Sequence, residues 1–492
     1  MLALACTPAE PKTHPTPDFP TCPELSERLA VGSHFDRSNI LVILTDDIGL
    51  DQTAAWYEHP SAPATPTLSA LACAGMRFDR AYSQPTCSPS RATFLTGRLP
   101  SRYGIGRWLS DTGRWGLPLD EITLPELLSD AGYSAGLAGK WHLGAATDPE
   151  AARHPLDQGF AYHRGSFSNL TFAFGTGHTP RTYWDWERLE DGEAAWTDTY
   201  NITATTDDAL ELVDLLPEPF FLYVAYNSAH EPLHRPPNRL LLDPSAVSAD
   251  SEDLVLYQAM VTATDLEIGR LLDGIDDDIL QDTLVVYLSD NGSPRWGITA
   301  PLDPNRGKGT AYEGGVHVPF IAAGPGVSTA GSRSDALVHF ADLFPTFAEL
   351  ADIDLSTWLP ADGSRDLPLA LDGESLVGVL TDPTTPTHRS FVMSSAFHPA
   401  GEPPYSWTRR TVVADHWKYV LLEGEESTLD PDELVREELF EMVETDPEVD
   451  AWTLYEGLDL LNQGELSAEA QAALEELSRA MDRELAARPF EY

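Results

Sequence analysis

Lysine is nearly missing from this chain. Among 492 residues only Lys12, Lys140, Lys308 and Lys418 carry an ammonium group, and arginine supplies the other 27 basic side chains. Basic charge as a whole is scarce, with 31 Lys and Arg against 78 Asp and Glu and a net charge of −47. A field of that sign repels nucleic acid and anionic membrane surfaces, so neither is expected as a partner. It speaks to solubility, as on a salt-tolerant acidic surface, and not to activity. Cysteine is also sparse. Cys6, Cys22, Cys73 and Cys87 include no pair at the short spacing of a zinc-thiolate site. No apolar run reaches the length of a membrane span.

What remains is therefore conspicuous. Two of the four lysines fall in polar, glycine-punctuated blocks, Gly139-Lys140-Trp141-His142-Leu143-Gly144 and Arg306-Gly307-Lys308-Gly309-Thr310. Scarcity and setting together mark Lys140 and Lys308 as functional, whereas a surface lysine would be the ordinary reading. At the N-terminus, Leu2-Ala3-Leu4-Ala5-Cys6 is too short for a full signal peptide and has no basic lead. It resembles the tail of a bacterial lipoprotein signal, with Cys6 as the lipid anchor of an exported protein. A disordered tail with two stray cysteines reads equally well, and a Cys6–Cys22 disulfide is open to an exported protein but does not follow from spacing. Six prolines from Pro8 to Pro23 suggest an extended tether, and residues 1–36 are assigned to it.

From Asn39 onward short apolar runs alternate with amphipathic stretches. Runs at 40–44, 220–224, 283–288 and 318–322 have the continuous β-type composition of strands buried on both faces. Helical patterns lie around 68–74, 124–131, 206–216 and 254–272. This alternation predicts an α/β fold with a large, mostly parallel sheet flanked by helices, over residues 37–385. Beyond a turn-rich stretch at 381–387, strand patterns at 390–394, 411–414 and 417–422 and a helix at 468–485 predict a smaller C-terminal α+β subdomain, residues 386–492. In parallel sheets ligands gather beyond the carboxyl ends of the strands. The runs end in Thr45-Asp46-Asp47, in Asn227-Ser228-Ala229-His230-Glu231-Pro232 and in Ser289-Asp290-Asn291-Gly292. Asp46, Asp47, Asp290 and Asn291 make an all-oxygen set suited to a hard divalent cation.

The most informative block is Cys87-Ser88-Pro89-Ser90-Arg91, polar and without apolar periodicity. A core cysteine would sit among apolar residues at helical or strand spacing. The longer run Cys87-Ser88-Pro89-Ser90-Arg91-Ala92-Thr93-Phe94-Leu95-Thr96-Gly97 resembles, without mismatch, the C-S-P-S-R-A-x-x-L-T-G signature of the type I sulfatases. The resemblance extends from about Ser38 to Pro447, where Glu438-Leu439-Phe440-Glu441 and Asp446-Pro447-Glu448 follow a further family pattern. It implies the alkaline-phosphatase-like fold and an arylsulfatase-like activity. It also implies that a formylglycine-generating enzyme oxidises Cys87 to formylglycine.

Roles follow from the same resemblance. One Ca2+, with Mg2+ less favoured, would be held by Asp46, Asp47, Asp290, Asn291 and the modified Cys87. Arg91, one helical turn on if a helix begins near Pro89, would hold the formylglycine hydrate. Lys140 would bind sulfate and hydrate oxygens, and in extended backbone would point the same way as His142. His142 would take the proton that lets the sulfated hydrate collapse. His230 and Lys308 would protonate the leaving oxygen, with His234 peripheral and Arg306 less securely matched. Two other readings stand beside sulfate ester hydrolysis. One is a phosphonate or phosphate ester hydrolase of the same superfamily, and the other an inactive protein binding sulfated glycans. Specificity is expected from Arg107, Trp108, Trp115, Arg164, Trp184, Trp186, Arg295 and Trp296, with a sulfated glycan preferred over a simple aryl sulfate.

Overall fold

The computed structural model describes residues 20–56, 61–174, 182–360, 370–424, 435–444 and 454–487. Its centre is a ten-stranded sheet. The strands run in the order Ser332–Ser334, Met76–Phe78, Phe320–Ala323, Thr283–Ser289, Asn39–Thr45, Phe220–Ala225, Ser134–Gly139, Tyr162–Gly165, Trp186–Glu190 and Glu193–Thr197. The five from Thr283–Ser289 to Tyr162–Gly165 are parallel neighbours. Phe320–Ala323, from the run expected at 318–322, instead pairs antiparallel with Thr283–Ser289. The strands at one end of the sheet, Tyr162–Gly165, Trp186–Glu190 and Glu193–Thr197, carry too many polar residues to announce themselves in sequence.

Asn39–Thr45 shows why the sheet is buried on both sides. Ile40, Val42 and Leu44 enter one apolar cluster, while Leu41 and Ile43 enter the other. Each such side chain, moved wholly out of water, contributes about 1.5–3 kcal/mol. Helices Leu124–Asp130 and Leu343–Leu350 cover the first face; Pro66–Ala74, Asn201–Leu215 and Asp253–Gly274 cover the second. Apart from Leu343–Leu350, these are the periodic stretches of the sequence, with boundaries moved by a few residues. The C-terminal unit is a five-stranded antiparallel sheet, Val392–His398, Trp407–Ala414, Trp417–Glu423, Val435–Glu444 and Leu454–Asp459, backed by the helix Ala468–Ala487. Val435–Glu444 carries the Glu438–Glu441 motif, while Asp446-Pro447-Glu448 lies outside the described residues.

The proline-rich start differs from an extended tether from Cys22 onward. Cys22–Arg28 is a helix with a Thr21/Glu24 capping box, and it buries Leu25 and Leu29. Cys22 is joined to Cys73, at the end of Pro66–Ala74, so a Cys6–Cys22 pairing is excluded. Pro23 does not disrupt the helix because a first-turn residue has no intrahelical N–H bond to lose. Cys6, with its expected lipid anchor, lies outside the described residues.

Candidate functional site

Four neighbouring parallel strands deliver their last residues to one spot. Asn39–Thr45 is followed by Asp46 and Asp47, Thr283–Ser289 by Asp290 and Asn291, and Ser134–Gly139 by Lys140 and His142. Phe220–Ala225 leads to His230 five residues on. Side-chain ligand atoms of Asp46, Cys87 and Asp290 lie within 4.8 Å of one another, as do those of Asp46, Asp47 and His230.

Cys87 opens the helix Cys87–Thr96, two residues earlier than Pro89 suggested, and is 1% exposed. It is an unpaired thiol. The rest of the pentapeptide anchors the turn. Ser90 Oγ donates to the carbonyls of Gln84 and Thr86 and accepts from the Gln84 N–H. Ser88 Oγ accepts from the Leu109 N–H, and the Pro89 carbonyl accepts from Tyr103. Burial pushes the Cys87 thiol up, against the pull of Lys140 and Lys308. As a plain thiol it is a poor thiolate.

Arg91, wholly buried one turn later, bonds Asp290 Oδ2 through Nε at 3.1 Å and Nη2 at 2.8 Å, and donates from Nη1 to the Lys140 carbonyl at 3.0 Å. Lys140 Nζ donates to Asp46 and, at 2.7 Å, to Asn169 Oδ1. Lys308 Nζ lies 2.6 Å from Asp47 Oδ1, which also accepts from Asn291 Nδ2 at 2.8 Å. Three carboxylates thus meet three fixed cations. Burial works to raise the Asp46 carboxyl, but Lys140, then His230, Arg91 and Lys308, hold it well below the usual carboxylate range. Asp290 is pushed up to about 7 by burial and by the neighbouring Asp46 charge.

The donor set fits a hard divalent cation on an observation independent of motif. Asp46 Oδ1 and Asn291 Oδ1 are buried oxygens with no hydrogen-bond partner. Such acceptors cost free energy unless something coordinates them. A bound dication would use them and relieve the repulsion between Asp46 and Asp290. Added to three matched charge pairs, it would leave the site positive within a chain of net charge −47.

The histidines are set differently. His142 does not continue the strand: its φ is +60°, so strict alternation with Lys140 does not apply. Its Nε2 lies 3.0 Å from the Leu109 carbonyl, which can only accept, so Nε2 carries the proton and Nδ1 is the free lone pair. Nδ1 is buried without a partner. Burial and then Lys140 hold the His142 pKa well below its ordinary value. His230 is half-buried with Nδ1 donating to the Glu231 carbonyl, and burial and then Lys308 lower its pKa too. His234 packs among Tyr183, Trp184 and Tyr200, away from the carboxylates. Arg306 stacks on Tyr312 and Phe440 beside Glu456, facing the C-terminal sheet.

Close approach at two glycines keeps these loops in place. A Cβ on Gly139 would meet the Ala225 carbonyl oxygen at 2.0 Å, and one on Gly292 would meet that of Gly314 at 1.9 Å. Asn169 escaped sequence reasoning because it lies in a loop with no motif of its own. Among the expected specificity residues, Arg107, Trp108 and Trp115 line one cavity of about 370 Å3. Trp184 packs at a tilt against Tyr200, and Trp186 is a buried core residue bonded to the Thr199 carbonyl. Arg164 pairs with Glu211 and Glu190. Trp296 is exposed and packs edge-on against Tyr257, beside exposed Arg295.

Comparison with known proteins agrees with this geometry. The family model described as Sulfatase matches residues 38–353. N-acetylgalactosamine-6-sulfatase of Canis lupus familiaris is 34% identical over 366 residues, covering 68% of this chain and 66% of that protein. Arylsulfatase A of Homo sapiens is 35% identical over 360 residues, covering 68% of each. The chain thus spans about two thirds of the length of the curated relatives it matches. Among solved structures, Ps i-CgsB superposes with a TM-score of 0.71 at 26% identity, covering 91% of this chain and 92% of that one. The same protein has been solved in complex with k-i-k-neocarrahexaose. With the match spanning most of its α/β domain, the chain belongs to the sulfatase family.

Proposed function

We propose that this protein hydrolyses sulfate esters, releasing an alcohol and inorganic sulfate. One observation carries the reading: Cys87, at the positive end of a ten-residue helix, is ringed by Arg91, Lys140 and Lys308 and by three carboxylates that suit one divalent cation, Ca2+ before Mg2+. As formylglycine, residue 87 would supply a hydrated aldehyde, one hydroxyl to attack sulfur and the other to expel sulfate afterwards. The cation would hold a sulfate oxygen and draw charge from sulfur. The remaining steps belong to residues of this chain. Arg91 and Lys140 orient the hydroxyls and the sulfate oxygens, and His142 Nδ1 is placed to accept a proton. Lys308 is the donor for the departing alkoxide, and His230 joins it when its Nε2 is protonated.

Because Cys87 is 1% exposed, a formylglycine-generating enzyme must reach it before the fold closes. The Cys22–Cys73 disulfide supports an exported protein, in which Cys6 would be lipidated. A sulfated glycan is the favoured substrate, since Ps i-CgsB is a structural relative that binds a carrahexaose. The purified protein should release sulfate from sulfated sugars with turnover lost in Cys87→Ala. Faster hydrolysis of an aryl phosphate diester than of any sulfate ester would replace this reading with a phosphate ester hydrolase. A properly oxidised protein that binds sulfated sugars without turnover would replace it with a binding protein.

A further inference from the structure

Leu109 joins the catalytic centre to a second cavity. Its N–H donates to Ser88 beside Cys87, its carbonyl accepts from His142, and its side chain lines the cavity of about 370 Å3. Arg107, Trp108, Arg114, Trp115 and His398 are among the other residues of that wall.

Many, though not all, arginines on this acidic surface find carboxylates, as in Arg28 with Asp277, Arg188 with Asp208 and Arg270 with Asp207. Arg107 and Arg114 do not. Among the described residues, neither has a carboxylate within ion-pair distance, although 78 acidic side chains compete for 31 basic ones. Arg107 is held in place by other means. Its guanidinium lies 4.8 Å from the Trp108 ring centre and 5.9 Å from that of Trp407, and Nη1 donates to His398 Nδ1 at 3.3 Å. Asp111, the nearest acid along the chain, turns instead to Ser168 and Thr171. Trp108 is 41% exposed, a ring open to a ligand's apolar face. The C-terminal subdomain reaches the cavity through His398 and Ala400; Trp407, buried behind, also carries Arg409, whose Nη1 donates to the carbonyl of Gly309 beside Lys308.

Two guanidinium groups without carboxylates, two indole rings and a cavity of about 370 Å3 suit an anionic saccharide. Resting on the sulfatase reading, we propose that this cavity binds a second anionic group, a sulfate or carboxylate, carried beside the ester being cleaved. The preferred substrate is then a glycan with adjacent anionic substituents.

The test compares kcat/KM on three substrates sharing one scissile sulfate: a monosulfated hexosamine, its disulfated form, and a disaccharide linking the monosulfated sugar to a uronic acid. Wild type is expected to favour at least one dianionic substrate over the monosulfated sugar by tenfold or more. Arg107→Met and Arg114→Met should each reduce that ratio about tenfold, mostly through KM, with partial rescue by Arg107→Lys. The preferred arm identifies the sulfate or the carboxylate as ligand. A ratio near one in wild type, or one unchanged in both Met variants, overturns the subsite while leaving the sulfatase reading intact. A wild type without turnover on all three, its Cys87 shown to be oxidised, overturns the sulfatase reading itself.

Discussion

Lys418 Nζ lies 2.7 Å from Glu313 Oε1, and both side chains are wholly shut from water. Glu456 approaches the same ammonium at 3.1 Å, and His317 and Tyr82 close on the other Glu313 oxygen at 2.9 and 3.2 Å. Glu313 follows the Lys308 loop, and Lys418 belongs to the C-terminal strand Trp417–Glu423. This buried cluster therefore fastens the C-terminal sheet to the segment that carries Lys308. Each lysine of the described residues pairs with at least one carboxylate.

Lys418→Met leaves Glu313 and Glu456 buried without their cation. A loss of about 3–5 kcal/mol in unfolding free energy is expected, measured by denaturant titration. A loss below about 1 kcal/mol would mean that water reaches the cluster.

The cation makes a separate prediction. Because it binds the fold and not the unfolded chain, Ca2+ at a hundredfold over its Kd should raise stability by about 2.7 kcal/mol. Chelation should lower the melting temperature and abolish turnover, and Ca2+ should restore both. Asn291→Ala should weaken that thermal shift. A melting temperature indifferent to Ca2+ and to chelator would count against the metal site.

The state of His142 fixes the sign of the acid limb. Its pKa is lowered by burial and by Lys140, so the ring is neutral at pH 6.5 and loses its free Nδ1 only as pH falls through the depressed value. Turnover under saturating substrate should hold from neutrality to below the ordinary histidine range before declining. His142→Gln should cost about 10²- to 10⁴-fold in kcat and remove that limb. A wild-type limb centred above pH 7 would assign the titration elsewhere.

Asn169 accepts from Lys140 at 2.7 Å. Asn169→Ala removes a hydrogen bond to a charged group, and kcat/KM should fall about tenfold or more. Stopped turnover with unchanged Ca2+ affinity would fit its position; an unchanged kcat/KM would show that Asp46 alone holds the ammonium.

Much of this was legible in the sequence for a physical reason. Doubly buried strands such as 40–44 and 283–288 must be continuously apolar, and acids at their ends cannot be core residues. Lys140 and Lys308 stood out by scarcity and setting and the four oxygen donors by their place at strand ends, while Cys87 and Arg91 were marked by the resemblance to the sulfatase signature. What stayed hidden depends on contacts across long separations. Cys22 meets Cys73 only because two helices pack together, and Lys418 meets Glu313 only because the subdomain docks. Asn169, His398 and Arg409 reach the site or its rim from segments without periodicity or motif. His142 enters with a left-handed backbone that no alternation rule anticipates.

The central claim is that residue 87 acts as formylglycine, and peptide mass spectrometry of the active protein tests it most directly. The peptide spanning Cys87 should be lighter than its encoded mass by about 18 Da, in proportion to specific activity across preparations. Full turnover from protein whose Cys87 is entirely an unmodified thiol would contradict it.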